Sequence, residues 1–234
     1  MASITSKASK DINAILALLF IGALLSIPFG LHPRSDIHYS LRVFSPDVGF
    51  IYANHPVVLF IYKAVPVIAA LVIISCFVML AAYALKRFVP SIPPILVPKT
   101  YLAPLFVLLA LILGPGAAVH YVAKEFFERP RPREIIEFGG NKKYVAAFHR
   151  GTQEGKSFVS GHASVGFFLA ALALVVRRRS HAIALYTGGI LLGLIIGAGR
   201  IMQGGHFVSD VLFAGILILI INHALHWLLF QKQP

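Results

Sequence analysis

Residues 57–85 read VVLFIYKAVPVIAALVIISCFVMLAAYAL, and Lys63 is the one charged side chain in this stretch. A helix needs about 20 apolar residues to cross the hydrocarbon core of a bilayer. The stretch exceeds that length, so it predicts a membrane-spanning helix. Lys63 lies near one end, where a lysine can extend its ammonium group to the membrane surface.

Similar apolar runs recur along the whole chain. Hydrophobic residues make up 58% of the 234 residues and charged residues only 13%, which is far from the composition of a soluble domain. The runs predict further helices near residues 13–31, 101–123, 163–176, 182–198 and 208–230. We therefore expect an all-α polytopic membrane protein, with a single domain over residues 1–234 that forms a bundle of six transmembrane helices.

The positive charge of the short loops predicts the orientation of the bundle, because cytoplasmic loops carry an excess of lysine and arginine. With both termini cytoplasmic, the inner face carries Lys7, Lys10, Lys86, Arg87, Lys99, Arg177, Arg178, Arg179 and Lys232, whereas the short outer segments carry Arg34, Arg42 and Arg200. The long loop of residues 124–160 is also basic and lies outside in this arrangement. Its cations therefore reduce the excess of positive charge on the inner face. In either orientation, this loop and the loop between the last two helices lie on one membrane face.

Other features of the composition exclude some classes of protein. The single cysteine, Cys76, excludes an internal disulfide bond. Lysines precede the first apolar run, as in a signal peptide, but the run is nearly long enough to cross a membrane, so we expect a retained helix. The formal net charge of +12 favours anionic membrane lipids over nucleic acid as partners, because most cations flank the apolar runs. No obligate protein partner is evident.

Three polar stretches interrupt the apolar chain at residues 124–132, 160–162 and 200–210. In the last, His206 and Asp210 stand four residues apart at the start of a predicted helix, so their side chains share one helical face. The carboxylate would hold one ring nitrogen as N–H and leave the other with a lone pair that can attack phosphorus. Gly204 and Gly205 have no side chains, so other groups can approach the backbone closely there. The alternative is that His206 is an ordinary hydrogen-bonded residue of the bundle.

The second stretch, Ser160-Gly161-His162, falls where the long loop turns into a helix. The free amides and the positive end of a helix bind anions well. His162 would lie beside such an anion, where it can give a proton to a departing oxygen. Ser160 can instead be a simple N-cap of the helix, and both interpretations can hold together.

The first stretch supplies Lys124 and Arg131, which can bind a phosphate as a compact charge and as a planar fork. The alternative is a basic flank that contacts lipid headgroups. The other cations of the loop fit the flank interpretation better: Arg129, Arg133, Lys142, Lys143, Arg150 and Lys156. Gly189, Gly193 and Gly197 recur every four residues, a spacing typical of close helix packing, and we assign them no chemistry.

The three stretches together resemble the signatures of the phosphatidic-acid phosphatase type 2 superfamily of membrane lipid phosphatases. The resemblance implies metal-independent hydrolysis without a cofactor, through a phosphohistidine on His206, with Asp210 as its partner and His162 as general acid. It further implies that the phosphate is bound by Lys124, Arg131, Ser160, Gly161 and Arg200. The sequence departs from the family pattern at Val159, where proline is usual, and at Gly199, where serine is usual.

The residues in and around the motifs look most like those of the bacterial branch that acts on lipid A. Examples are Arg129-Pro-Arg-Pro-Arg133 and Ser157-Phe-Val-Ser-Gly-His-Ala-Ser164. This implies removal of the 1- or 4′-phosphate of lipid A, in the inner membrane, by a site that faces the periplasm at the outer membrane–water interface. Phosphatidylglycerophosphate and undecaprenyl pyrophosphate are alternative substrates. Three other hypotheses stay open: a serine hydrolase with a triad of Ser160, His206 and Asp210, a metal site formed by His162, His206 and Asp210, and a non-enzymatic lipid transporter.

Overall fold

The computed structural model describes residues 2–231, so Lys232, predicted on the inner face, lies outside the described residues. The helices are α1 (Ala2–Leu31), α2 (Ser35–Leu41), α3 (Pro56–Leu85), α4 (Leu102–Leu111), α5 (Lys124–Phe127), α6 (Gly161–Phe168), α7 (Ala171–Val175), α8 (Arg179–Met202) and α9 (Val208–Phe230). A π-helix, Ile112–Ala123, joins α4 to α5, and 3₁₀ turns form at Pro94–Leu96, Pro132–Glu134 and Ile136–Phe138. Within residues 2–231, the one sheet is an antiparallel hairpin of β1 (Phe44–Ser45) and β2 (Gly49–Phe50). The all-α prediction is confirmed.

Five helical segments of the described chain are long and apolar enough to cross a membrane: Ser9–Leu31, Pro56–Leu85, Leu102–Glu134, Arg179–Met202 and Val208–Phe230. The chain is therefore a polytopic membrane protein. The run predicted at residues 163–176 forms α6 and α7, which have 8 and 5 residues. At about 1.5 Å per residue, this segment falls short of a hydrocarbon core of about 30 Å. The predicted count of six crossings is not confirmed.

The segment that begins at Leu102 changes its hydrogen-bonding pattern along its length. Pro115 lacks an amide hydrogen and lies within the π-helix, where longer-range bonds replace those of an α-helix. The wider π-helix carries His120, and Lys124 follows directly as the first residue of α5. Both side chains reach the start of α6, because a Cβ atom on Gly161 would lie 2.6 Å from His120 Cε1 and 3.1 Å from Lys124 Nζ. The π-helix thus brings the first two polar stretches together.

The glycine face of α8 packs against α6, α7 and α9 at backbone distance. A Cβ atom on Gly193 would lie 2.4 Å from Phe167 Cδ1, and one on Gly197 would lie 2.2 Å from Val211 Cγ1. On Gly189 it would lie 2.4 Å from the backbone nitrogen of Ala170. No real side chain tolerates such distances, so the prediction that these glycines serve close helix packing is confirmed.

We expect Gly189→Ala to destabilise the folded protein, because its new methyl group meets backbone that cannot move aside without shifting a helix. Overpacking of this kind costs about 1–3 kcal/mol. The matched control is Gly188→Ala, since a Cβ atom on Gly188 has nothing within 4 Å. Thermal unfolding of the two variants in detergent measures the difference. Equal melting temperatures would show that the α8 contact is looser than the structure indicates.

A second polar cluster lies at the far end of the bundle, where α1 begins and α9 ends. The buried Asp11 accepts hydrogen bonds from His223 Nδ1 at 2.8 Å and from His226 Nδ1 at 2.6 Å. Tyr186 of α8 lies 3.1 Å from the other ring nitrogen of His223. His223 follows Asp210 by about 20 Å along α9. Local spacing in the sequence does not reveal this partner of the two histidines, because Asp11 comes from a helix distant in sequence.

Candidate active site

A cavity of about 710 Å³ lies at the end of the bundle where α6 and α9 begin. One wall is apolar and consists mainly of α3 side chains, including Leu59, Val65 and Pro66. Polar side chains form much of the remaining lining. The lining holds six of the eight predicted site residues: Lys124, Arg131, Gly161, His162, Arg200 and His206. The other two, Ser160 and Asp210, are fully buried and do not line the cavity. The structure therefore brings all three polar stretches to one place.

His206 follows a turn at the end of α8 and is almost completely buried. Its Nδ1 atom lies 2.8 Å from the carbonyl oxygen of Ser157. A carbonyl can only accept a hydrogen bond, so Nδ1 carries the hydrogen and Nε2 carries the lone pair. Burial lowers the pKa of His206 to about 4, which leaves the ring neutral at neutral pH. This is the form of imidazole that can act as a nucleophile.

Asp210 lies one helical turn after His206, as the spacing predicted, with Oδ2 at 3.5 Å from Nδ1. This distance is longer than the bond from Nδ1 to the Ser157 carbonyl. Other donors hold the carboxylate: Arg129 Nη1 donates to Oδ1 at 2.6 Å, and the backbone amide of Phe207 donates to Oδ2 at 2.8 Å. The Ser157 hydroxyl also donates to Oδ2. Ser157 therefore contacts both His206 and Asp210. The position of Ser157 in the sequence does not predict this role.

The location of Arg129 differs most from the prediction made from the sequence. Arg129 is 1% exposed and forms ion pairs with Asp36 at 2.8 Å and Asp210 at 2.6 Å. Its interpretation as a basic membrane flank is therefore wrong. Arg133, also assigned to the flank, lines the cavity. In contrast, Lys142, Arg150 and Lys156 form partly or largely exposed ion pairs with glutamates, and Lys63 is exposed away from the cavity.

Arg131 and Arg200 have unused hydrogen-bond donors. The Nε atom of each is buried and has no hydrogen-bond partner among the described residues. Arg200 is fixed by Gln203, to which Nη1 donates, and by the ring of Tyr62, with 4.8 Å from Cζ to the ring centroid. A Cβ atom on Gly205 would lie 2.4 Å from Arg200 Nη2, so this glycine leaves room for the guanidinium. Unpartnered buried guanidinium donors are suited to an anion.

The start of α6 supplies the remaining groups. The Ser160 hydroxyl accepts from the backbone amide of Ala163 at 3.4 Å, so this side chain caps the helix. Gly161 has no room for a side chain between His120 and Lys124. His162 stacks on Tyr62, with 4.5 Å between ring centroids and 14° between planes. The positive end of α6 therefore meets the cavity wall.

The serine-hydrolase and metal-site hypotheses find little support in this geometry. The Ser160 hydroxyl is buried, caps α6 and does not line the cavity, so it is poorly placed for a serine nucleophile. Among the described residues, no group of three His, Cys, Asp or Glu side chains is arranged to hold a metal ion. In particular, His162, His206 and Asp210 do not form such a group.

The segment before α3, to which the sequence analysis assigned no role, packs against the site. Phe44 and Phe50 of the hairpin contact Phe138 at 5.0 and 5.3 Å between ring centroids. Gly204 has φ +61°, a value rare for other residues, and a Cβ atom there would lie 2.4 Å from the Phe50 ring. The hairpin therefore supports the turn that carries His206.

Nitrogen-15 spectroscopy of histidine-labelled protein tests the proposed state of His206. We expect the signal lost in His206→Ala to be that of a neutral Nδ1–H tautomer down to about pH 4, because the ring is buried and the Ser157 carbonyl accepts from Nδ1. At lower pH the ring should gain its second proton. A titration near the ordinary histidine value of about 6.5, or an Nε2–H tautomer, would contradict this assignment.

The fold and the cavity together define a multi-pass membrane protein that gathers three histidines, His120, His162 and His206, and several cations at one end of a helix bundle. Residues 103–233, more than half of the chain, match the family described as PAP2 superfamily, so the chain belongs to this superfamily. The family resemblance of its motifs is confirmed.

Similarity to curated proteins extends over about half of the chain. The lipid A 4′-phosphatase of Francisella tularensis subsp. novicida is 36% identical over 130 residues, 55% of this chain and 59% of that protein. The lipid A 4′-phosphatases of Rhizobium etli and Rhizobium leguminosarum are 35% and 34% identical, over 53% of this chain and 49% and 53% of those proteins. The chain thus spans about half the length of these relatives. No solved structure matches it significantly.

Proposed function

We propose that this chain is a lipid phosphatase that removes the 4′-phosphate of lipid A through a phosphohistidine on His206. The observation that carries the chemistry is the contact of His206 Nδ1 with the Ser157 carbonyl, which leaves the lone pair on the other ring nitrogen. The choice of lipid A rests on the names of the three relatives, and the choice of the 4′-phosphate over the 1-phosphate rests on the same names.

In the first chemical step, His206 Nε2 forms a bond to phosphorus as the bond from phosphorus to the lipid oxygen breaks. Lys124, Arg131, Arg200 and the first amides of α6 neutralise the phosphate oxygens. His162 gives its proton to the lipid oxygen, which leaves as an alcohol. Burial, together with the cavity cations, lowers the pKa of His162, so His162 depends on the entering phosphate dianion to become protonated.

In the second step, water attacks the phosphohistidine and the bond from phosphorus to Nε2 breaks. His162, now neutral, accepts a proton from the attacking water, so inorganic phosphate and the starting form of His206 result. Asp210 stays ionised throughout and stabilises the positive imidazole that forms in each step. The proposed residues perform these steps without a metal ion or another cofactor.

Lipid mass spectrometry tests the substrate. Cells that express this chain should contain lipid A lower in mass by one phosphate than cells that express His206→Ala, and fragmentation should place the loss at the 4′ position. Loss at the 1 position would overturn the positional assignment. A loss confined to phosphatidylglycerophosphate or undecaprenyl pyrophosphate would overturn lipid A as the substrate. If the purified protein releases no phosphate from any of these lipids, a lipid-binding transporter becomes the better explanation.

We further propose that the protein lies in the bacterial inner membrane with cytoplasmic termini, so that the cavity faces the periplasm. Arg177, Arg178 and Arg179 lie at the start of α8 and the cavity lies at its end, which agrees with the positive-inside rule. Cys76 is buried, so an introduced cysteine can report accessibility. With the outer membrane permeabilised, an impermeant maleimide should label Lys143→Cys and spare Arg178→Cys. The reverse pattern would overturn this orientation.

A further inference from the structure

Asp36 is a fully buried carboxylate next to the candidate active site, and it comes from outside the family-matched residues 103–233. It belongs to the short helix α2. Its Oδ1 atom accepts from the backbone amide of Ser209 at 3.0 Å, and its Oδ2 atom accepts from the Ser209 hydroxyl. Ser209 precedes Asp210 in the chain, so Asp36 holds the backbone that carries the partner of His206.

Arg129 connects Asp36 to Asp210 directly. Its Nη2 atom donates to Asp36 at 2.8 Å, and its Nη1 atom donates to Asp210 at 2.6 Å and to the Ser209 hydroxyl at 2.8 Å. The guanidinium is held by the carbonyl of Val145, to which Nε donates at 2.8 Å, and lies 4.3 Å from the centroid of the Phe207 ring. A continuous buried chain of contacts therefore runs from Asp36 through Arg129 and Asp210 to His206.

The charges of this chain explain why a second carboxylate is useful. If Arg129 were paired with Asp210 alone, the two charges would cancel close to His206. The imidazole becomes positive when Nε2 binds phosphorus, and a neutral pair would stabilise that charge poorly. Asp36 shares Arg129 and leaves one net negative charge across the three groups. Because all three groups are buried, solvent screens this charge weakly.

We propose that Asp36 is a positioning residue for the nucleophile His206, acting through Arg129 and Asp210 to keep the carboxylate oriented and its negative charge uncancelled. This inference rests on the proposed function of His206. It assigns to α2, a segment outside the matched family region, a part in completing the active site.

Steady-state kinetics with p-nitrophenyl phosphate, corrected for the folded fraction, test the proposal. We expect Asp36→Asn to lower kcat at least about tenfold, equivalent to about 1.4 kcal/mol, and to leave KM nearly unchanged, because Asp36 does not line the cavity. Asp36→Glu keeps the charge and should retain more activity than Asp36→Asn. If Asp36→Asn fails to fold, the Glu variant should still show a lower kcat with an unchanged KM.

The matched control is Asp11→Asn, the same change at another buried aspartate far from the cavity. It removes an acceptor for His223 and His226, so it should lower the melting temperature and leave kcat per folded molecule at the wild-type value. If Asp36→Asn behaves in the same way, Asp36 merely stabilises the fold and the proposal is overturned, while the phosphatase function stands.

The nitrogen-15 signals of His206 provide a readout that does not depend on turnover. Asp36→Asn should shift them, whereas Asp11→Asn should not. Unchanged His206 signals in Asp36→Asn would overturn the positioning role even if the wild-type protein hydrolyses no phosphate. Absence of wild-type hydrolysis would instead overturn the proposed function, so the two failures are distinguishable.

Discussion

Replacement of His206 by alanine should abolish turnover while leaving the folded protein intact in the membrane. In the proposed mechanism the ring supplies the lone pair that bonds to phosphorus, and no other cavity side chain among the described residues has one nitrogen fixed by a carbonyl and the other free. Loss of a nucleophile of this kind costs at least about 10⁴-fold in kcat. Phosphate release from purified protein in detergent, with melting temperature as the measure of folding, provides the test.

The matched control for this prediction is His149→Ala. The Nδ1 atom of His149 also lies 2.9 Å from a backbone carbonyl, that of Ala147, but the residue does not line the cavity. Its loss should leave turnover near the wild-type rate. Brief incubation with a radioactive lipid phosphate should label wild-type protein through an acid-labile, base-stable bond, and should not label His206→Ala. Substantial activity or labelling in that variant would rule out His206 as the nucleophile.

Replacement of His162 by alanine should slow the release of a poor leaving group much more than the release of a good one. An alkyl or sugar alcohol needs a proton as it leaves, so the rate of its release in a single turnover should fall about 10²–10⁴-fold. p-Nitrophenolate leaves without a proton, so the rate of its release in a single turnover should fall less than about tenfold. Single-turnover release is the measurement, because the later attack of water on the phosphohistidine is the same for both substrates and also uses His162.

A control for this second prediction is Arg200→Lys. In the proposed mechanism Arg200 binds the phosphate, which both substrates share, so its replacement should slow both to a similar degree. Equal losses in single-turnover release of the two leaving groups in His162→Ala would show that His162 binds phosphate or orients Tyr62 and does not act as the acid. The stacking of His162 on Tyr62 makes this distinction necessary.

The sequence was informative wherever the deciding interaction is local. The length and polarity of residues 57–85 predicted α3, because the need to satisfy backbone hydrogen bonds in hydrocarbon leaves a helix as the solution. His206 and Asp210 could be paired because four residues make about one turn of helix. The glycines of α8 revealed their packing face through the same periodicity, and the structure confirms it.

Length alone did not determine how the run at residues 163–176 would fold. Its residues are apolar enough for a membrane helix, but the helix breaks between α6 and α7. Much of this segment is buried among α8, α9 and the end of α4, including Ala163, Phe167, Phe168 and Ala171. Apolar residues suit a protein core as well as lipid, so composition could not distinguish the two environments.

The sequence by itself determined an all-α membrane protein, its phosphate-site motifs and the pairing of His206 with Asp210, because hydrophobic length and helical spacing are properties of neighbouring residues. Only the tertiary structure decided which charges are buried. Asp36 lies 93 residues before Arg129, and the acceptor of His206 is a carbonyl 49 residues away. A buried charge must find its partner wherever the fold places one, and no local pattern around Arg129 distinguishes it from a cation at the membrane surface.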